Sequence, residues 1–173
     1  LGLGLKEDPM VNLKQPVVSS IEVEIPGRKT KLRIVHVVFD FNGTLARDGR
    51  LLNGVGTRVR KLARVVDVTV LTADTFGTVA RTMKGLPTNI GIVKNGTEKL
   101  KFIRALGPGS VTAIGNGVND IPMLRAAALG IAVIGDEGAA GELLSVATVV
   151  VRNINDALDL LLKPKRLVAT LRK

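Results

Sequence analysis

Four short stretches hold the side chains that could do chemistry. "VVFDFNGTLA" (37–46) delivers Asp40 at the end of an apolar run and follows it with Asn42, Gly43 and Thr44. "VLTADT" (70–75) ends a second apolar run on Thr72, Ala73 and Asp74, and "EKLKF" (98–102) offers Lys99 and Lys101. "GNGVND" (115–120) closes the set with Asn116, Asn119 and Asp120. Carboxylates, hydroxyls, amides and lysines are thus the available tools. The absence of cysteine excludes disulfides, Cys-ligated zinc and thiol catalysis. The one histidine, His36, lies inside an apolar run and reads as a packing residue, which excludes a His-centred triad or a His-rich metal site.

These stretches recur where apolar β-runs stop. Strands are expected near Val35–Phe39, Val68–Leu71, Ile90–Val93, Val111–Ile114, Ile131–Ile134 and Thr148–Val151. Helical patterns fall near Gly56–Val65, Phe76–Lys84, Thr97–Leu106, Asp120–Ala128 and Ala139–Leu144, with a last one at Ile154–Leu162. Uninterrupted apolar strands alternating with helices imply a parallel sheet covered on both faces. Ahead of them, "IEVEI" and "KTKLRI" flank "PGR" and read as a β-hairpin. In an open α/β sheet ligands bind outside the carboxyl ends of the strands, near the switch point. Asp40, Thr72 and the Gly115–Asp120 segment should therefore converge on one crevice.

"FDFNGTLA", "VLTADT", "EKLKF" and "GNGVNDIPML" resemble, in order, the four motifs of the haloacid-dehalogenase-like (HAD) superfamily of phosphohydrolases. The details are most similar to the phosphorylation domain of P-type ATPases, and above all to their small soluble relatives in archaea and bacteria. The resemblance runs from Ile21 to the C-terminus. It implies a three-layer Rossmannoid α/β fold and a soluble, cytoplasmic Mg²⁺-dependent phosphatase or ATPase-like hydrolase. Asp40 is then the nucleophile, forming an aspartyl-phosphate that splits one hard displacement into two. Mg²⁺ bridges carboxylate and phosphate oxygens, because two anions must otherwise approach each other. Its implied ligands are Asp40, the backbone carbonyl of Asn42, Asn116 and Asp120, with Asn119 orienting Asp120. Phosphate oxygens fall to Gly43, Thr44, Thr72, Ala73 and Lys99. Lys99 matches the lysine that neutralises the phosphoryl charge, whereas Lys101 suits a solvated helix face. Thr72 and Asp74 also suit a local role, capping the turn or helix that follows.

Two positions depart from the hydrolase pattern. Phosphatases of the superfamily carry a second Asp where Asn42 stands, to protonate the leaving group and then activate water. An amide has no titratable proton near neutral pH and does neither. Asn116 replaces the metal-binding Asp of "GDG", and a neutral oxygen binds a hard cation less strongly. The expectation is a site that takes phosphoryl groups more readily than it releases them, with weak metal affinity. The same losses leave open a catalytically degenerate protein that binds phosphate compounds or a partner. Both Asn residues precede Gly, so slow deamidation could regenerate the acids.

The 173 residues suit one domain, 21–173, preceded by a flexible extension or tag remnant at 1–20 in which Met10 would be a natural start. "LGLGLKEDPM" has no signal-peptide pattern, and no run approaches the about 20 apolar residues of a membrane span. The net charge of +10 could attract nucleic acid, but aromatics are only 2% and no nucleic-acid motif occurs, so a phosphorylated small molecule or nucleotide is the expected partner. Only 28 positions separate Thr44 from Thr72, room for the flap "LARDGRLL" with its Asp-Gly hairpin turn and one helix. The protein is therefore expected to be capless. Its site would be closed by the flap, by the Ile21–Ile34 hairpin or by a neighbouring subunit in a homo-oligomer.

Overall fold

Side-chain alternation along one five-residue strand sets the layers of this molecule. The computed structural model describes residues 19–73 and 78–172. In chain order the first elements are β1 (Ile21–Val23), β2 (Leu32–Ile34), β3 (His36–Asp40), β4 (Ala46–Arg47), β5 (Arg50–Leu51) and α1 (Val55–Leu62). Next come β6 (Asp67–Thr72), α2 (Val79–Thr82), β7 (Asn89–Ile92), α3 (Gly96–Leu106), β8 (Val111–Gly115) and α4 (Ile121–Ala126). The chain closes with β9 (Leu129–Val133), α5 (Gly141–Val146), β10 (Val149–Val151), α6 (Ile154–Leu162) and α7 (Pro164–Leu171). In β3, Val37 and Phe39 join a core with Val59 and Leu62 of α1 and Leu158 of α6. Val38 points the other way, into a core with Ile103 of α3 and Met123 of α4. Asp40 shares the parity of Val38, so its carboxylate emerges on the α3–α4 face.

The six-stranded sheet runs β10-β9-β8-β3-β6-β7, with parallel pairing throughout. Chain order leaves β3 in both directions, which makes the end of β3 the switch point. Asp40 pairs with Leu71, one residue before Thr72, and Phe39 pairs with Ile114, one residue before Gly115. The expected convergence of Asp40, Thr72 and the 115–120 segment is thus built into the register. This architecture is the three-layer α/β sheet that the strand–helix alternation predicts.

Four features differ from the sequence reading. The β1–β2 hairpin exists, but it leads into the amino end of β3, and Val35 N donates to Ser110 O at 2.9 Å just before β8. It therefore lies at the end of the sheet opposite Asp40 and cannot close the crevice. Second, α7 was not expected, the last helix read from the sequence ending at Leu162; Pro164 occupies the first helical turn, where a missing N–H is harmless. Leu167 is fully buried and α7 packs on β1 and α6. Burying a leucine of this kind stabilises by about 1.5–3 kcal/mol. Third, α5 begins at Gly141 rather than Ala139. Fourth, within the expected Phe76–Lys84 helix, the described residues are helical only over Val79–Thr82.

His36 sits at the amino end of β3, away from Asp40. It is half-buried with Nδ1 3.6 Å from the Asp67 carboxylate, and burial holds its pKa below the usual value against the pull of that carboxylate. A packing role fits this place. Among the described residues no helix is long and apolar enough to cross a membrane.

Candidate active site

Lys99 links the two carboxylates at the switch point. Its Nζ donates to Asp40 Oδ1 and to Asp120 Oδ1, each at 2.6 Å. All three groups are buried, Asp120 and Lys99 almost completely. Lys101 is exposed on the same helix.

Helix α3 aims Lys99. Asn95 caps it, accepting from Glu98 N at 3.1 Å, while Glu98 Oε2 accepts from Lys94 N at 2.7 Å. A Cβ on Gly96 would lie 2.5 Å from the Asn119 carbonyl, so only glycine lets α3 start this close to the 118–120 turn. Lys99 then falls in the first helical turn, where the macrodipole disfavours a cation. The two carboxylates offset that cost. Burial works against the charge of Lys99 as well, but Asp40 and Asp120 outweigh it and hold its pKa above the ordinary lysine value.

The carboxylates are arranged differently. Asp120 Oδ2 accepts from the backbone N–H groups of Asn116 (3.0 Å) and Gly117 (2.9 Å), so both its oxygens are engaged. A Cβ at Gly115 would come within 2.4 Å of this carboxylate, which explains glycine at the end of β8. Orientation of Asp120 thus comes from backbone N–H groups, and the Asn119 side chain, expected to provide it, is exposed. Asp40 retains slight exposure. Burial pushes its carboxyl up to about 6 and Asp120 adds to the rise, against the opposing pull of Lys99 and the Phe41 N–H.

The loop after Asp40 folds on itself. Gly43 N donates to Ala46 O (2.8 Å), Leu45 N to Phe41 O (2.8 Å) and Thr44 N to Phe41 O (3.3 Å). Gly43 is what permits this tight turn. It has φ +81°, and a Cβ there would strike the Asn116 side chain at 2.4 Å. The Thr44 hydroxyl donates to Asn116 Oδ1 at 3.4 Å, and Asn116 Nδ2 donates to Gly138 O at 3.1 Å. Asn42 Oδ1 accepts from Gly49 N at 3.1 Å, tying the flap tip to the loop. Thr72 is buried at the end of β6 and Ala73 is exposed beside it; Asp74 lies outside the described residues.

Asp40, Asp120 and the Asn116 amide bring oxygen donors to this switch point. That set fits a hard divalent ion such as Mg²⁺. Among the described residues no group of three or more His, Cys, Asp or Glu is placed to hold a metal ion, and here only two carboxylates meet.

The Asn42-Gly43 and Asn116-Gly117 steps, two of the four Asn-Gly steps in the chain, are also held. Deamidation needs the glycine nitrogen to attack the Asn Cγ and expel ammonia. Gly117 N already donates to Asp120 and Gly43 N to Ala46 O, while both Asn side chains are hydrogen-bonded. Peptide-mapping mass spectrometry, which separates these two sites from Asn53-Gly54 and Asn95-Gly96, should therefore show Asn42 and Asn116 persisting in the native protein and converting after incubation in denaturant. Equal rates in both states would contradict this.

Sequence reasoning missed Gly96 and the 135–140 loop. That loop receives Asn116 Nδ2 at Gly138 and donates Ala140 N to Asn116 O at 2.9 Å. Its cluster of Gly135, Gly138 and Gly141 after an apolar strand was the available signal.

The family model for haloacid dehalogenase-like hydrolases matches residues 61–158, a segment holding Thr72, Lys99, Asn116 and Asp120 and starting after Asp40. An uncharacterized protein of Methanocaldococcus jannaschii is 48% identical over 86 residues, 46% of this chain and 92% of that protein. Among solved structures, 3-deoxy-D-manno-octulosonate 8-phosphate phosphatase from Moraxella catarrhalis, in complex with magnesium ion, phosphate ion and KDO, superposes with a TM-score of 0.61. That match has 18% identity and covers 80% of this chain and 94% of that one. The cobalt-bound Haemophilus influenzae phosphatase gives a TM-score of 0.62 at 18% identity, covering 81% and 90%. At such identity these two speak for the fold.

Proposed function

The chain belongs to the haloacid dehalogenase-like hydrolases, and from that premise we propose a Mg²⁺-dependent phosphohydrolase acting through phospho-Asp40. The observation that carries the proposal is the buried Lys99 Nζ held 2.6 Å from both Asp40 and Asp120 at the switch point. An Asp40 oxygen attacks the phosphorus of a phosphoester or phosphoanhydride, the bond from phosphorus to the leaving oxygen breaks, and solvent supplies that oxygen's proton. Lys99 neutralises charge on the transferring group and Thr72 orients it. Water then attacks the phosphorus, the bond to Asp40 breaks, and orthophosphate leaves. Mg²⁺, held by Asp40, the Asn42 carbonyl, Asn116 and Asp120, would screen the repulsion between carboxylate and phosphate. Affinity for it should be weak, since Asn42 and Asn116 are neutral and both Asp120 oxygens have other partners.

Within the family we place the chain nearest the phosphorylation domains of P-type ATPases and their small soluble relatives, as a cytoplasmic enzyme. "TADT" and "GVNDIPML" support this, as does the missing acid at position 42, where those pumps carry Thr. The structural neighbours that are phosphatases support a phosphorylated small molecule as substrate. A screen of phosphoesters and nucleotides with Mg²⁺ tests the reading. Asn42→Asp should raise saturating turnover by about 10²-fold, the usual contribution of general acid–base catalysis. Either side chain accepts the Gly49 N–H, so the flap anchor survives the change. Lys101→Ala should leave turnover within about twofold.

A second reading is favoured by the engaged oxygens of Asp120 and the two amides: a degenerate member that binds phosphate compounds without turnover. It takes the lead if no substrate in the screen turns over and Asn42→Asp restores nothing.

A further inference from the structure

The flap carries two arginines in a costly arrangement. In the β4–β5 hairpin Arg47 pairs with Arg50 across the strands, so the two cations share one face. Like charges directly opposite destabilise a hairpin. The turn between them is tight, with Asp48 at φ +50° and Gly49 at φ +73°, the all-positive geometry of a two-residue loop. Gly49 is fixed from two sides, by Asn42 Oδ1 and by the Thr82 hydroxyl, which donates to Gly49 O at 2.7 Å. These two hydrogen bonds oppose fraying of the turn that would relieve the repulsion.

Both line one cleft of about 510 Å³. Arg47 Nη1 donates to Asp136 Oδ2 at 2.7 Å, whereas Arg50 has no acidic partner among the described residues. Asp136 places this pair at the rim of the candidate active site. Its neighbour Gly135 lies against the Gly43 carbonyl, and Gly138 in the same loop receives the Asn116 amide. The Arg47–Asp136 pair is exposed on both sides, and such pairs contribute little, so an incoming anion exchanges with Asp136 readily.

We propose that Arg47 and Arg50 form an anion clamp for a second phosphate or a carboxylate of the substrate, which selects doubly anionic phosphoesters and anhydrides over simple monoesters. The clamp rests on the phosphohydrolase reading for its consequence in catalysis but not for anion binding itself. Two guanidinium forks on one face suit such a group, since each can take two oxygens at once. Asp136 occupies half of the clamp until substrate arrives.

The test compares kcat/KM for ADP, 2-phosphoglycolate and p-nitrophenyl phosphate, with ADP and orthophosphate affinities by calorimetry. In the double variant Arg47→Met, Arg50→Met, kcat/KM for ADP or phosphoglycolate should fall at least about tenfold further than for p-nitrophenyl phosphate. The probe that responds identifies phosphate or carboxylate as the clamped group. Asp136→Asn should shift the same ratio the other way, and Arg64→Met, which removes an exposed charge in the turn after α1, should not move it. A protein that turns over nothing yet binds ADP more tightly than orthophosphate, with the preference lost in the double variant, would sink the hydrolase reading and keep the clamp. Equal losses on all three substrates, or ADP affinity unchanged in the double variant, would overturn the clamp.

Discussion

Asp40→Asn should abolish turnover, by about 10³-fold or more, because it removes the attacking oxygen while keeping the side chain's shape. The same variant has a stability signature that an exposed, unperturbed carboxylate would lack. With its carboxyl pushed up to about 6, Asp40 holds a proton in the folded chain at pH values where the unfolded chain has released it. Folded-state stability therefore falls as pH rises from the ordinary carboxylate value near 4 to about 6, and stays lowered above that. Asp40→Asn escapes this loss. Its melting temperature relative to the unmodified protein should rise between pH 4 and pH 7 in metal-free buffer. A difference independent of pH would contradict the buried, charge-crowded environment assigned to Asp40.

Lys99→Met should be the most destabilising change in the site. It leaves Asp40 and Asp120 facing each other without the ammonium that both accept from at 2.6 Å. Breaking a buried ion pair by removing one partner costs about 3–5 kcal/mol, because a charge is stranded. Lys99 has a raised pKa, so its contribution is fully present below the unfolded lysine value of 10.5 and is lost only as pH rises through the higher folded value. The destabilisation should thus be full at pH 7. It should shrink at pH 4, below the value of about 6 at which the Asp40 carboxyl takes up a proton and no longer needs a cation. Denaturant melts at the two pH values check this, and turnover at pH 7 should fall with the Asp40 variant. A mild effect at pH 7 would mean that Lys99 does not hold the carboxylates together.

The site was more legible in the sequence than its supports. Asp40, Thr72, Lys99 and the 115–120 segment announce themselves because each ends a strand or opens a helix, and strand ends meet at a switch point. The parity of Asp40 with Val38, which turns it toward Lys99, follows from alternation along β3. The glycines are harder to read. Gly96 and Gly115 are required by approaches of 2.5 Å and 2.4 Å to the Asn119 carbonyl and the Asp120 carboxylate, and a tertiary contact leaves no local pattern. The Arg47–Asp136 pair spans 89 positions. The hairpin was legible as a hairpin, but its place at the far end of the sheet depends on Ser110 and α7. Helix α7 was hidden by Pro164, which punctuates a sequence identically whether it stops one helix or starts the next.

The central claim is that phosphoryl transfer to Asp40 outruns release, because Asn42 cannot activate water. Acid quenching during steady-state turnover of a radiolabelled phosphate donor, at saturating Mg²⁺, tests it most directly. The account predicts a phosphoenzyme that accumulates in the unmodified protein, maps to Asp40, is absent from Asp40→Asn and drops sharply in Asn42→Asp as turnover climbs. Rapid turnover without detectable phosphoenzyme, or label on any residue other than Asp40, would contradict it.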